Sequence, residues 1–99
     1  MTDPVIHVVA RLVPRPDRAE ALAAAIRGIL AEVRSEPGCL VYDGHESRDA
    51  PGVIVMVEAW ADQAALDAHA RAAAFTGLAA RFDELLAESP TIERLRRID

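Results

Sequence analysis

His69 is the residue of this chain best suited to do chemistry. It falls on one helical stripe with Leu66, Ala70 and Ala73 in an alanine-rich stretch, so its imidazole is predicted to face the interior. The small neighbours leave room beside it. A histidine next to a partly empty apolar space is either a general base near neutral pH or a packing residue hydrogen-bonded to backbone. Trp60 stands just before that stretch, and its indole either anchors the core or walls an aromatic pocket. Proton chemistry at this place requires the imidazole to face the indole across a hollow. Glu58 sits in an otherwise apolar run. It is either paired, with the Tyr42 hydroxyl or an arginine, or has a raised pKa.

Other chemistries are excluded or poorly supported. All 11 basic residues are arginine; with no lysine there is no Schiff base and no phosphate-loop lysine. His7, His45 and His69 are far apart, without a His-x-His or HExxH pairing, so no metal site is expected. Gly38, Gly44 and Gly52 form no phosphate-cradling loop, and Ser47 has no nucleophile-elbow motif. A net charge of −5 has the wrong sign for a phosphate backbone, which argues against nucleic acid. The single cysteine, Cys39, has no internal partner and no CxxC motif, so it reads as structural and fits a reducing compartment. The aliphatic run from Val53 to Val57 is too short to cross a bilayer. The N-terminus carries an acid, Asp3, where a leader needs positive charge. A soluble cytoplasmic protein with no membrane or nucleic-acid partner is therefore expected.

Residues 1–99 are long enough for one domain with one core. Val5 to Val13 is rich in β-branched residues and stops at Pro14-Arg15-Pro16, which predicts a strand. Asp17 and Glu20 have the spacing of a capping box. Leu22, Ile26, Ile29, Leu30 and Val33 then follow at helical spacing, with Gly28 placed for a close neighbour, and Glu36-Pro37-Gly38 ends the helix. Cys39 to Ser47 and Val53 to Trp60 are predicted strands around a turn at 48–52. Pairing them symmetrically sets Tyr42 opposite Glu58. That puts Leu40, Tyr42 and Gly44 on one face with Met56, Glu58 and Trp60, unless the register slips by one.

The second helical stretch carries two apolar faces. Asp62 caps it, and Leu66, His69, Ala70 and Ala73 define one face, while Phe75, Leu78, Ala79, Phe82, Leu85 and Leu86 define another. At roughly 100° per residue the two point about 160° apart, so a break is predicted between Arg71 and Phe75, with a short helix before it and a longer one after. Pro90 ends that helix, and Thr91 to Ile98 reads as a polar edge strand.

Strand, helix, strand, strand, helix, strand is the order of an α+β, ferredoxin-like β-α-β-β-α-β fold with a four-stranded antiparallel sheet. Val53 to Val57 is apolar on both faces and Val5 to Val9 nearly so. Helices cover one face; a second copy is the economical cover for the other, which predicts a homodimer joined through sheet faces. His7 faces either the pocket or that seam.

The run EPGCLVY, the hairpin, and then VEAWADQAALDAHARAAAF resemble the antibiotic biosynthesis monooxygenase family, over essentially the whole chain. The most specific part is Glu58-x-Trp60-x-Asp62, followed by Ala65-Leu66, His69 and Phe75. The resemblance implies a dimeric α+β barrel. It also implies kinship with small quinol and polyketide-phenol monooxygenases that use neither metal nor flavin. Haem-degrading relatives use an asparagine on the first strand and a later helical histidine; this chain has no asparagine, and the later position falls near Ala79. In the polyketide-oxidising branch an asparagine shares the Trp60 strand, where Met56 stands here.

The expected function is therefore cofactor-independent oxidation of a small quinol or polyhydroxylated aromatic by dioxygen. His69 would be the base, or the hydrogen-bond partner of the phenolate, and Trp60 its catalytic companion. Met56, Leu66, Phe75, Tyr42, Glu58 and His7 would meet the substrate, and Arg81 would lend charge or lie solvated. The alternatives are a non-catalytic dimer that binds a small apolar ligand, and an isomerase or lyase that needs no dioxygen. A cavity of roughly 300 Å³ or more favours an enzyme or binder over a filled core.

Overall fold

In the computed structural model residues 4–99 are described; Asp3, the acid read against a leader, lies outside them. The strands are β1 (Ile6–Leu12), β2 (Cys39–Glu46), β3 (Ile54–Trp60) and β4 (Thr91–Leu95). The helices are α1 (Ala19–Arg27), α2 (Leu30–Arg34), α3 (Gln63–Arg71), α4 (Ala73–Ala79) and α5 (Phe82–Leu85). The sheet order is β2-β3-β1-β4, antiparallel throughout, with the helices packed on one face. This is the ferredoxin-like α+β arrangement read from the sequence. No helix among the described residues is long and apolar enough to cross a membrane.

The hairpin register is as drawn, with Tyr42 opposite Glu58, but a bulge between Cys39 and Val41 changes its root. Cys39 pairs with Trp60, and the extra residue, Leu40, is 56% exposed rather than part of the inner face. On the inner face Val8, Ala10 and Leu12 join Ile54, Met56, Glu58 and Trp60. Trp60, Leu22, Leu85 and Val33 are the largest fully buried side chains. Each contributes about 1.5–3 kcal/mol or more by leaving water. His7, on the alternate positions of β1, points to the opposite face from Val8. That face is helix-free, and Val41, Val57 and Leu95 stand exposed on it at 37%, 41% and 40%.

The helical segments are shorter than the periodicity suggests. α1 begins at Ala19 with Arg18 as its uncapped N-cap, so Asp17 and Glu20 are out of phase for a capping box. The first stripe divides at Gly28, which has only its own helix carbonyls nearby and no close neighbour. The predicted break in the second stretch is present at Ala72, whose backbone is extended at φ −73° and ψ 152°. The longer helix expected after it is itself two pieces, α4 and α5. At the far end of α5, Arg15 donates its backbone N–H to the Leu85 carbonyl and its guanidinium to the Asp83 carbonyl, and Ala87 donates its N–H to the Val13 carbonyl. These bonds tie the end of α5 to the segment that follows β1.

Candidate active site

The site is assembled from β2, β3, α3 and the loop that ends α2. Asp62 caps α3 by accepting the Ala65 N–H at 2.9 Å, which sets the helix phase and turns His69 inward. The loop before β2 must come very close to that helix. At Gly38, with φ +82°, an added Cβ would lie 2.5 Å from the Ala65 Cβ, so only glycine permits the contact. Two residues earlier, Glu36 thereby reaches His69, one helical turn beyond Ala65.

His69 Nδ1 donates to Glu36 Oε1 at 2.9 Å, in a place where both side chains are largely buried. A carboxylate can only accept, so Nδ1 carries a proton in this contact, and in the neutral form of the ring the lone pair is on Nε2. The second Glu36 oxygen is buried without a hydrogen-bond partner among the described residues. An orphaned carboxylate oxygen is destabilising. The imidazole stacks on Trp60, with centroids 4.5 Å apart and planes at 28°. Tyr42 and Phe75 approach its other sides at 5.4 Å and 5.3 Å. Three aromatic rings and a carboxylate therefore fix the orientation of this one ring.

No hollow separates His69 from Trp60; they are in contact, which corrects the expectation of an indole facing the histidine across a gap. Trp60 is fully buried and does not line the cavity. Its Nε1 donates to Glu58 Oε1 at 3.0 Å, so it braces both the histidine and the glutamate from behind. The hollow lies elsewhere along His69. It is a cavity of about 120 Å³ whose walls include Tyr42, Met56, Glu58, Leu66, His69 and Phe75. The break at Ala72 is what lets Phe75 join them. At this size it falls below roughly 300 Å³. It matches a single ring instead, since a cavity of ~150 Å³ can hold benzene.

His69, Glu58 and Tyr42 are the ionisable side chains in the wall among the described residues, and the remainder is apolar. Burial pushes the Glu58 carboxyl up toward its neutral form, against the lowering effects of the Trp60 hydrogen bond and of His69. Burial, reinforced by Glu58 and Glu36, pushes the Tyr42 phenol well up, so it stays protonated. His7 is outside the site because it lies on the other sheet face. Arg81 is also outside the cavity, in an exposed pair with Glu84 at 2.8 Å. Burial raises the Cys39 thiol, which fits a structural role. In the sequence Glu36 is only part of a helix stop; the EPG ending gives no sign that its first residue meets a histidine. Among the described residues no three His, Cys, Asp or Glu side chains converge as a metal site requires.

A sheet layered with helices on one face, with a small apolar pocket beside a carboxylate-held histidine, defines a ferredoxin-like α+β protein. The sequence pattern of the antibiotic biosynthesis monooxygenase family matches residues 5–81, and the chain belongs to that family. It is 36% identical over 99 residues to a Mycobacterium tuberculosis protein named "Putative monooxygenase Rv0793", covering 100% of this chain and 96% of the other. It is 30% identical over 82 residues to "Putative monooxygenase YcnE" of Bacillus subtilis, covering 83% and 86%. The crystal structure of PA3566 from Pseudomonas aeruginosa superposes with a TM-score of 0.92 at 31% identity, covering 100% and 99%.

Proposed function

We propose that this protein is a monooxygenase that needs no cofactor and oxidises a small quinol or polyhydroxylated aromatic with dioxygen. The observation that carries this reading is a histidine held at Nδ1 by Glu36, bordering a ring-sized apolar cavity, with Tyr42 and Glu58 in the same wall. His69 Nε2 takes the proton of one substrate hydroxyl. The electron-rich phenolate then gives an electron to dioxygen, the two radicals combine to a peroxide at a ring carbon, and its outer oxygen takes the proton back from His69 to make a hydroperoxide. His69 then takes the hydrogen of that carbon as a proton, and the C–H electron pair forms the carbonyl as the O–O bond breaks. One oxygen stays as a carbonyl, and the other takes a proton from His69 and leaves as water. Quinol plus dioxygen thus gives hydroxyquinone plus water, and the substrate supplies every electron. Glu58 and Tyr42, pushed toward their protonated forms, donate hydrogen bonds to the oxyanion, while the apolar walls keep water out. Trp60 is a positioning residue behind the base.

Two copies joined through their helix-free sheet faces complete the proposed assembly; exposed Val41, Val57 and Leu95 support it. The free thiol fits a cytoplasmic location. One observation favours a rival. The cavity is small, which suits a dimer that binds a small apolar ligand without turning it over. Dioxygen uptake with a panel of quinols decides between them. Uptake by the wild type that His69→Ala loses supports the oxidation; no uptake with any quinol overturns it, and turnover without dioxygen would assign an isomerase or lyase.

A further inference from the structure

The cavity continues into an open groove of about 370 Å³ between α3 and β4, and Val8, Leu66, Ala70 and Ile92 line both. The groove exists because no helix lies over the edge strand: every residue of β4 is exposed. Its polar walls are Gln63 and Asp67 on α3 and Arg94 on β4. Arg94 pairs across the sheet with Val8, and Val8 pairs with Glu58, so Glu58, Val8 and Arg94 form a row on the inner face. Two strand spacings separate the ends of that row by about 9.6 Å. A ring seated over Val8 would have the proton-handling groups at one edge and the guanidinium beyond the other.

Arg94 has no hydrogen bond or ion pair among the described residues, and it is the one arginine among them that lines this groove. The cavity wall itself carries no cation. Asp67 faces the same groove, and its Oδ1 accepts the Gln63 amide at 2.8 Å along α3. A negative charge in the groove is therefore repelled from the helix side and attracted to the strand side.

We infer that Arg94 is a specificity-determining residue that binds a carboxylate on the substituent leading out of the cavity, so that the substrate class is a hydroxylated aromatic acid. A guanidinium suits this role because its planar fork matches a carboxylate with two parallel hydrogen bonds. The inference rests on the cavity being the substrate site, as proposed above.

Calorimetric titration without oxygen tests it, with 2,5-dihydroxyphenylacetate and its methyl ester as probes of equal ring and unequal charge. The wild type should bind the acid about tenfold more tightly than the ester, a preference that weakens with salt. In Arg94→Gln the two should bind alike, with the ester's affinity kept; Arg94 is exposed, so the variant should fold. The same acid-to-ester ratio in both proteins, or an ester preferred by the wild type, overturns the role of Arg94 alone. Failure of both probes to bind the wild type overturns the cavity as the substrate site as well.

Discussion

Glu36 and His69 lie 33 residues apart in the chain and meet at 2.9 Å, with the glutamate fixing the ring nitrogen that carries the proton. The contact depends on the backbone of Gly38 touching α3 at Ala65. A loop residue thus decides how a helical histidine can act.

His69→Ala should lower kcat for quinol-dependent dioxygen uptake by on the order of 10²- to 10⁴-fold, the usual worth of a positioned base. Glu36→Gln should lower it by a smaller factor, because the ring remains but its tautomer is no longer imposed. Nitrogen NMR reads the tautomer directly: the wild type's neutral ring should carry its proton on Nδ1, and Glu36→Gln should show a mixture. An unchanged spectrum would remove Glu36 from the mechanism.

Gly38→Ala should cost about 1–3 kcal/mol, since a positive φ strains any side chain and the new Cβ collides with Ala65. Because relief of the collision moves the loop from α3, kcat should fall beyond what the lost stability explains. Thermal unfolding and uptake rates measured on the same preparation check both.

Trp60→Phe leaves Glu58 Oε1 without its donor, which should cost about 1–3 kcal/mol in urea unfolding. A phenyl ring can still stack on His69 and Trp60 does not line the cavity, so KM should change little. A large rise in KM with stability intact would place the indole against substrate after all.

Glu58→Gln has a pH signature. The folded carboxyl is raised above its ordinary value of 4.5, so the folded state holds the proton more tightly than the unfolded chain. That contribution to stability is fully present below the unfolded value and is lost as pH rises through the folded one. The glutamine keeps an acceptor for Trp60 and does not titrate. The stability of Glu58→Gln relative to wild type should therefore improve as pH rises from about 4 upward, and denaturant midpoints across that range check the sign.

Val57→Arg places a charge in the middle of the helix-free sheet face, where Val57 pairs with Val9 and Asp43. Wild type should sediment as a dimer at micromolar concentration and the variant as a monomer of unchanged circular dichroism. A monomeric wild type would remove the assembly proposal.

The order of elements, the register that pairs Tyr42 with Glu58, the break before Phe75 and the inward turn of His69 were legible in the sequence. Each is a local matter: alternation assigns strand faces, a 3.6-residue period assigns helix faces, and a phase conflict forces a break. Met56, Leu66 and Phe75 reached the cavity wall for the same reason. The bulge at Leu40 was not legible, because an extra residue in one strand shows only once its partner is in place.

The amino-acid pattern by itself determined a ferredoxin-like sheet with an imidazole turned toward it. Only the tertiary structure decided that Trp60 stands behind that imidazole, that His7 faces away, that Glu36 holds Nδ1, and that the cavity opens toward Arg94. Periodicity specifies which way a side chain points from its own element. Which distant side chain it then meets depends on how closely two backbones approach, here at Gly38 and Ala65, and on an edge strand that no helix covers.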